Sequence, residues 1–254
     1  MKIQTLWRYP VKGMQGEAMD QVNIAAKQPF PLDRCFALAH GNSGITKEAP
    51  RWELKTSFHM LMHKGDERLA TLRPQFDEET DMLSIECQGI TVLQESVKET
   101  KGVNAIEKYF ATFLAEDCLT GPPVFVQSRN SRFGNIEDPV ISLINLASVR
   151  DLSNAIDEKV DVARFRGNII VDGGEAWEER NWKGRTLTIN GVDFDIVDET
   201  IRCGATQVNP NSYERDLNVP GLLNRNFGHL YCGVYLIAKG DGRINRGDTV
   251  AVHK

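Results

Sequence analysis

Cys203 follows Arg202 directly in the stretch Ile201-Arg202-Cys203-Gly204-Ala205-Thr206-Gln207-Val208-Asn209-Pro210, where an apolar run gives way to a glycine-containing bend. A thiol beside a fixed cation tends toward thiolate, the form that acts as nucleophile or soft-metal ligand. The ordinary alternative is a small buried hydrophobe, the commonest fate of a lone cysteine. Other cations stand beside turns: Lys12 next to Gly13, Arg34 after Asp33, and Arg164 and Arg166 on either side of Phe165. Each reads either as a phosphate contact or as a solvated surface charge. If Arg164 to Asn168 is extended, both guanidiniums project to one side.

The remaining metal-like residues carry less. His229 and Cys232 are close in sequence, but Leu230, Tyr231, Val234 and Tyr235 around them read as a buried strand. Met60 and Met62 read as core filling. Asp77 to Asp81 is an acidic turn without the spacing of a calcium loop. Cys35, Cys87, Cys118, Cys203 and Cys232 are an odd number without C-x-x-C pairs, so neither a disulfide framework nor a zinc ribbon is expected.

Composition bounds the partners. A formal net charge of -5 and 26% charged residues provide no global basic field for nucleic acid or anionic lipid, so an anionic ligand would need a local cluster. Met1 to Gly16 has no apolar leader region, and no run approaches the roughly 18 apolar residues of a membrane span. The expectation is a cytoplasmic protein, with no nucleic-acid or membrane partner.

The elements that must position these residues are mostly strands. Ile3 to Tyr9, Phe36 to Ala39, Phe58 to Met62, Leu69 to Leu72, Met82 to Ile85 and Ile90 to Leu93 suggest a small β-domain. Val103, Ile106, Phe110, Phe113 and Leu114 recur at helical spacing, which predicts a helix from Val103 to Ala115 whose start Asn104 with Glu107 could cap. Gly121-Pro122-Pro123 ends it and marks the boundary between residues 1–120 and 121–254. Val124 to Gln127 opens the second region, and residues 128–138 form a polar loop long enough to be functional.

Val140 to Leu146 reads as a buried strand, and Ser148 with Asp151 as a capping box for the helix that follows. The strand thus runs into a helix N-terminus suited to an anion, near Asn145 and Ser148. Asn190-Gly191 between alternating apolar residues is a type I′ hairpin whose second strand leads to Arg202 and Cys203. Leu222-Leu223 suggests a short helix, and Tyr231 to Ala238 with Thr249 to Val252 would complete an antiparallel barrel. The fold class expected is mainly β with some α.

Tyr9-Pro10-Val11-Lys12-Gly13, Asp33-Arg34, Ser142 to Val149, Arg164 to Asn168 and Arg202 to Pro210 together resemble, in order, the MOSC proteins. This is the domain shared by molybdenum cofactor sulfurases and the amidoxime-reducing component. The resemblance implies an N-terminal β-barrel-like domain followed by a MOSC β-barrel domain, and a molybdenum cofactor (Mo-molybdopterin) whose metal is ligated by Cys203. It assigns Lys12, Gly13, Arg34, Arg164, Arg166 and Asn168 to the cofactor's anionic end, with Asn145 and Ser148 as secondary contacts and Arg202 stabilising the thiolate. It also implies an oxidoreductase that reduces N-hydroxylated, N-oxygenated small molecules with electrons from a separate reductase or ferredoxin-type protein. A non-catalytic cofactor carrier and a sulfur carrier are the alternatives. Pyridoxal phosphate binding attaches to the family at large rather than to a motif of this chain. Two departures stand out: Gly13 replaces a serine common in relatives, and residues 128–133 lack the Gly-His pair of some relatives.

Overall fold

The computed structural model describes residues 1–47, 52–114, 120–128 and 132–253. Its largest sheet has the order β15-β11-β12-β13-β9-β10-β1-β2. These strands are β1 (Lys2–Arg8), β2 (Glu17–Met19), β9 (Ile141–Asn145), β10 (Ile169–Asp172), β11 (Thr186–Ile189), β12 (Val192–Ile201), β13 (Tyr231–Ala238) and β15 (Val250–Val252). Backbone bonds from Ile3 N to Asp248 O (2.9 Å) and from Val250 N to Met1 O (2.9 Å) bring β1 back against the entry to β15. The sheet therefore closes into a barrel, which removes exposed edges. Alternate residues of its strands, among them Leu6, Leu143, Val171, Leu187, Phe194 and Leu236, fill one interior.

The barrel is not wholly antiparallel. β9 and β10 run parallel, and α2 (Leu146–Ile156) lies in the crossover between them, as a parallel pair requires. The remaining sheets are small: β3 (Gln21–Ile24) with β14 (Gly242–Asn245), β4 (Phe36–Ala39) with β8 (Val124–Gln127), and β5 (Leu72–Asp77), β6 (Met82–Cys87) and β7 (Ile90–Ser96). α1 (Thr100–Phe113) packs Ile106 and Phe110 into a second core with Phe36, Leu72, Phe76, Ile85 and Phe125. α3 (Val219–Phe227) packs with α2 on a third.

Several local expectations differ from what forms. Phe58 makes only an isolated bridge to Ala39, and Asp66–Thr71 is a 3-10 turn rather than a strand. The reason is Asp66, whose carboxylate accepts from the Met60 amide (2.9 Å) and bonds His59 Nδ1 (3.0 Å), winding the chain locally. α1 begins three residues before Val103, and Glu107 does not cap it: its carboxylate accepts from the Phe125 amide and from Lys47. The predicted helix end at Ala115 and residues 129–131 of the 128–138 loop lie outside the described residues.

The Ser148–Asp151 capping box does not form either. Asn145 caps α2, accepting from the Ala147 amide at 3.0 Å, while Asp151 accepts from the Trp177 indole. Val162–Phe165 is a 3-10 turn capped by Asp161, so the Arg164 to Asn168 segment is not extended. The Asn190–Gly191 turn is as expected, with φ of 46° and 79°.

Candidate functional site

The main chain of Arg202 and Cys203 is held by hydrogen bonds from two directions. The Arg202 amide donates to Leu230 O (2.8 Å), and the Cys203 carbonyl accepts from the Thr206 amide (3.0 Å) and hydroxyl (2.9 Å). Two irregularities in the β12–β13 pairing bend β12 just before this turn. The second permits Gly233, at φ +84°, to approach the Leu143 carbonyl so closely that a Cβ there would lie 2.3 Å from it. Cys203 is a free, half-buried thiol at the end of that strand.

Cys203 lines a cavity of about 70 Å³ whose wall, among the described residues, includes Lys12, Arg34, Arg132, Arg164, Arg166 and Arg202 and no carboxylate. Lys12 reaches it from the turn after β1, Arg34 from just before β4, and Arg164 and Arg166 from the turn preceding β10. Lys12 is 4% exposed, and its Nζ donates to Phe133 O at 2.8 Å. Burial, with Arg34, Arg132 and Arg166 nearby, lowers its pKa to about 7. Burial and Arg34 likewise lower Arg166 to about 10. Such displacements come first from burial and then from the repulsion of neighbouring cations.

The carboxylates that do face this cluster sit behind it. Burial pushes the Asp33 carboxyl up, but Arg34, Arg132 and the Tyr9 amide (3.0 Å) outweigh it and hold it below the usual range. Asp216 accepts from Arg164 Nη2 at 2.7 Å. Several donors still lack partners: Arg132 Nε, Arg164 Nε and Arg166 Nη2 are buried and make no hydrogen bond. An unsatisfied buried donor costs roughly 1–3 kcal/mol, more when charged, so an anion that reached these atoms would be bound favourably. Arg34 and Arg166 are, moreover, held at φ of 53° and 52°, left-handed conformations that cost a residue with a Cβ free energy. Both guanidiniums pack on the ring of Tyr9, at 5.0 and 4.4 Å from its centroid.

The structure therefore brings together Lys12, Gly13, Arg34, Arg164, Arg166, Arg202 and Cys203. It does not bring the other three sequence candidates to that wall. Asn168 is fully buried behind it, accepting from the Ser142 amide (3.1 Å) and hydroxyl (2.8 Å) and donating to Trp7 O. Asn145 and Ser148 both bond Glu179, a fully buried carboxylate whose pKa is raised by burial. Arg202 is turned toward carbonyls, with Nε to Cys232 O and Nη1 to Phe165 O, rather than outward. Sequence reasoning missed Arg132, which is 5% exposed in a loop without periodicity, and Asp33 as its counter-ion. The pairing of Asp33 with Arg34 in sequence was the available signal.

His229 and Cys232 do not form a ligand pair. His229 packs edge-on or tilted among Trp177, Phe227 and Tyr231, and burial pushes the Cys232 thiol up to about 12. Among the described residues no group of three or more His, Cys, Asp or Glu is arranged to hold a metal ion, and no helix is long and apolar enough to cross a membrane. A larger cavity, about 610 Å³, shares Leu61, Arg164, Arg166 and Ala205 with the first and is lined by Trp7, Tyr9 and Tyr213.

Two family models match: the MOSC N-terminal beta barrel domain over residues 1–117 and the MOSC domain over residues 129–251. The chain is 37% identical over 117 residues to a molybdenum cofactor sulfurase of Drosophila ananassae, covering 43% of this chain and 15% of that protein. It is 24% identical over 259 residues to molybdenum cofactor sulfurase 2 of Culex quinquefasciatus, covering 92% of this chain and 32% of that one. The chain thus spans about a third or less of the length of these relatives. Among solved structures, the YuaD protein from Bacillus subtilis is similar at 12% identity and a TM-score of 0.47, covering 100% of this chain and 95% of that one. YiiM from Geobacillus stearothermophilus gives 12% and 0.36, covering 45% and 54%.

Proposed function

From a chain that belongs to the MOSC domain proteins, matched along both its N-terminal barrel and its MOSC segments, we propose a molybdenum cofactor-binding oxidoreductase that reduces N-hydroxylated small molecules. The observation that carries the reading is the cationic cavity: Lys12 and five arginines, three of them with unpartnered buried nitrogens, converge on a wall that contains a free thiol. These residues fit the group. A space of about 70 Å³ takes a phosphate-sized anion rather than a whole pterin, and the rest would extend beyond it. Lys12, Arg34, Arg132, Arg164 and Arg166 would hold the anionic end, and the Cys203 sulfur would be the soft ligand for the metal. When bound, the cofactor supplies a two-electron centre able to remove an oxygen atom from nitrogen.

The chain's own residues bind and orient. Lys12 Nζ, whose pKa burial and its cationic neighbours lower to about 7, is only partly protonated near pH 7 and becomes more so as an anion enters, so binding is coupled to fractional proton uptake. Arg34 and Arg166 are already held at their rotamers by Tyr9, Arg34 also by the bond from its Nη2 to Arg166 O (2.9 Å) and Arg166 by the bond from its Nη1 to Met14 O, so little ordering cost remains at binding. The Thr206 bonds to the Cys203 carbonyl fix the sulfur's backbone. Electrons would come from a separate reductase or ferredoxin-type protein.

A second reading, a carrier of the cofactor or of sulfur on Cys203, draws on the relatives named molybdenum cofactor sulfurase. The test is turnover of an aryl hydroxylamine by cofactor-loaded protein with reduced viologen as electron source. Amine formation that disappears in Cys203→Ala supports the enzyme. Retention of cofactor through gel filtration without any turnover contradicts it, and release of the cofactor during filtration favours a carrier.

A further inference from the structure

The Arg215 guanidinium joins parts of the chain about 150 residues apart. Its Nη1 donates to Gly204 O at 3.1 Å, immediately after Cys203. Its Nη2 donates to Leu61 O at 2.7 Å and His63 O at 2.6 Å and lies 3.4 Å from Glu67 Oε2. Its own backbone is fixed by a bridge to Val208, at the far end of the Gly204–Gln207 turn. One residue thus ties both ends of the cysteine turn to the 61–67 segment, the Gly204 end through its side chain and the Val208 end through its backbone. The tie falls at a particular place: Leu61 and Ala205, adjacent to the bonded carbonyls, line both the cavity of Cys203 and the larger cavity. Met62 packs on Gly204 across the same seam, where a Cβ would meet its Cγ at 3.7 Å.

We infer that Arg215 is a positioning residue: it clamps the cysteine turn against the 61–67 segment, setting the direction of the Cys203 thiol and keeping the two cavities as separate compartments. Lysine cannot replace it, because one ammonium cannot span carbonyls on both segments in the fixed planar fork of a guanidinium. Neither half supplies this contact alone, since the donor lies at residue 215 and two of its acceptors lie at residues 61 and 63. The functional weight of the clamp rests on Cys203 being the working thiol; its existence does not.

The test runs on cofactor-free protein, so that its outcome is independent of whether molybdenum binds. Wild type, Arg215→Met and Arg215→Lys are treated with iodoacetamide, and alkylation of Cys203 is followed by peptide mass. Amide hydrogen exchange is measured on the same samples. In Arg215→Met the alkylation rate of Cys203 should change at least fivefold, and exchange should rise together in residues 59–66 and 203–208 while β9, β10 and β13 stay protected. Arg215→Lys should fall between the two, and it carries the test if Arg215→Met does not fold. Alkylation within twofold of wild type, or exchange rising only beside residue 215 or uniformly across the barrel, overturns the inference.

Discussion

Lys12 concentrates the electrostatic logic of the site in one atom. Its folded pKa of about 7 lies far below the ordinary 10.5. Between those values the unfolded chain binds a proton that the folded chain does not, so this residue makes stability rise with pH from 7 toward 10.5. The slope reaches about 1.4 kcal/mol per pH unit for a full proton. The buried Cys232 thiol, pushed up from 9.0 to about 12, works in the opposite direction, and only above pH 9. In urea unfolding of cofactor-free protein between pH 7 and 9, wild type should therefore gain about 1 kcal/mol per pH unit more than Lys12→Met. Equal slopes would mean that Lys12 is already charged in the folded protein. Residues that bind should also separate from residues that support. Arg166→Ala should reduce cofactor occupancy at least ~10-fold with stability within about 1 kcal/mol, because it removes a charge-assisted donor but also relieves repulsion. Asn168→Ala should cost about 2–3 kcal/mol, because it leaves the buried Ser142 amide without its side-chain acceptor, with occupancy per folded molecule unchanged. Occupancy by elemental analysis beside urea titration distinguishes the two classes.

At the scale of elements, the site depends on how β12 and β13 are bent. Gly233 sits at φ +84°, and a Cβ would collide with Leu143 O at 2.3 Å and approach Arg202 Nη2 at 3.3 Å. Gly233→Ala should destabilise the protein by about 3 kcal/mol or more, from strain plus contact. Gly191→Ala, with φ +79° but open space around it, should cost about 1 kcal/mol. Comparable losses by thermal unfolding would contradict the assignment of Gly233 to a close approach. This contrast also explains what could be read from sequence. The Asn190–Gly191 hairpin, β13 and the Val140 run were legible because alternation and turn chemistry are local. The Arg164–Phe165–Arg166 turn was not, since the Asp161 cap, though local, adds no periodic signal, and the positive φ of Arg166 is not announced by its residue type. Asn145 and Ser148 looked like anion ligands because a helix N-terminus looks the same from sequence whether water, an anion or Glu179 faces it. The cations and Cys203 were found as individual residues, and their convergence was supplied by the motif order rather than by spacing. Arg132 and Arg215 carried no periodic signal at all.

For the whole molecule, pairing across the chain matters more than the position of any boundary near residue 120. β1 pairs antiparallel with β10 through Lys2–Asp172 and Leu6–Ile169, β3 pairs with β14, and Val208 packs into the core of β5, β6 and α1. We propose that the two family segments fold as one unit. Residues 121–254 expressed alone should lack the cooperative unfolding transition of the full chain; a sharp transition in that fragment would refute this. The site lies at the seam these pairings create, which is how a protein with a formal net charge of -5 presents six cationic side chains to one cavity. Such a cavity favours a compact anionic ligand over an extended polyanion. The central claim is that this ligand is the molybdenum cofactor and that Cys203 holds its metal. The most direct measurement is the ratio of molybdenum and of pterin to protein, for wild type and Cys203→Ala purified from a host that makes the cofactor. The account predicts both near one in wild type, with the variant keeping its pterin and losing the wild-type molybdenum redox signal. Wild type without molybdenum, in a host that has it to give, would contradict it.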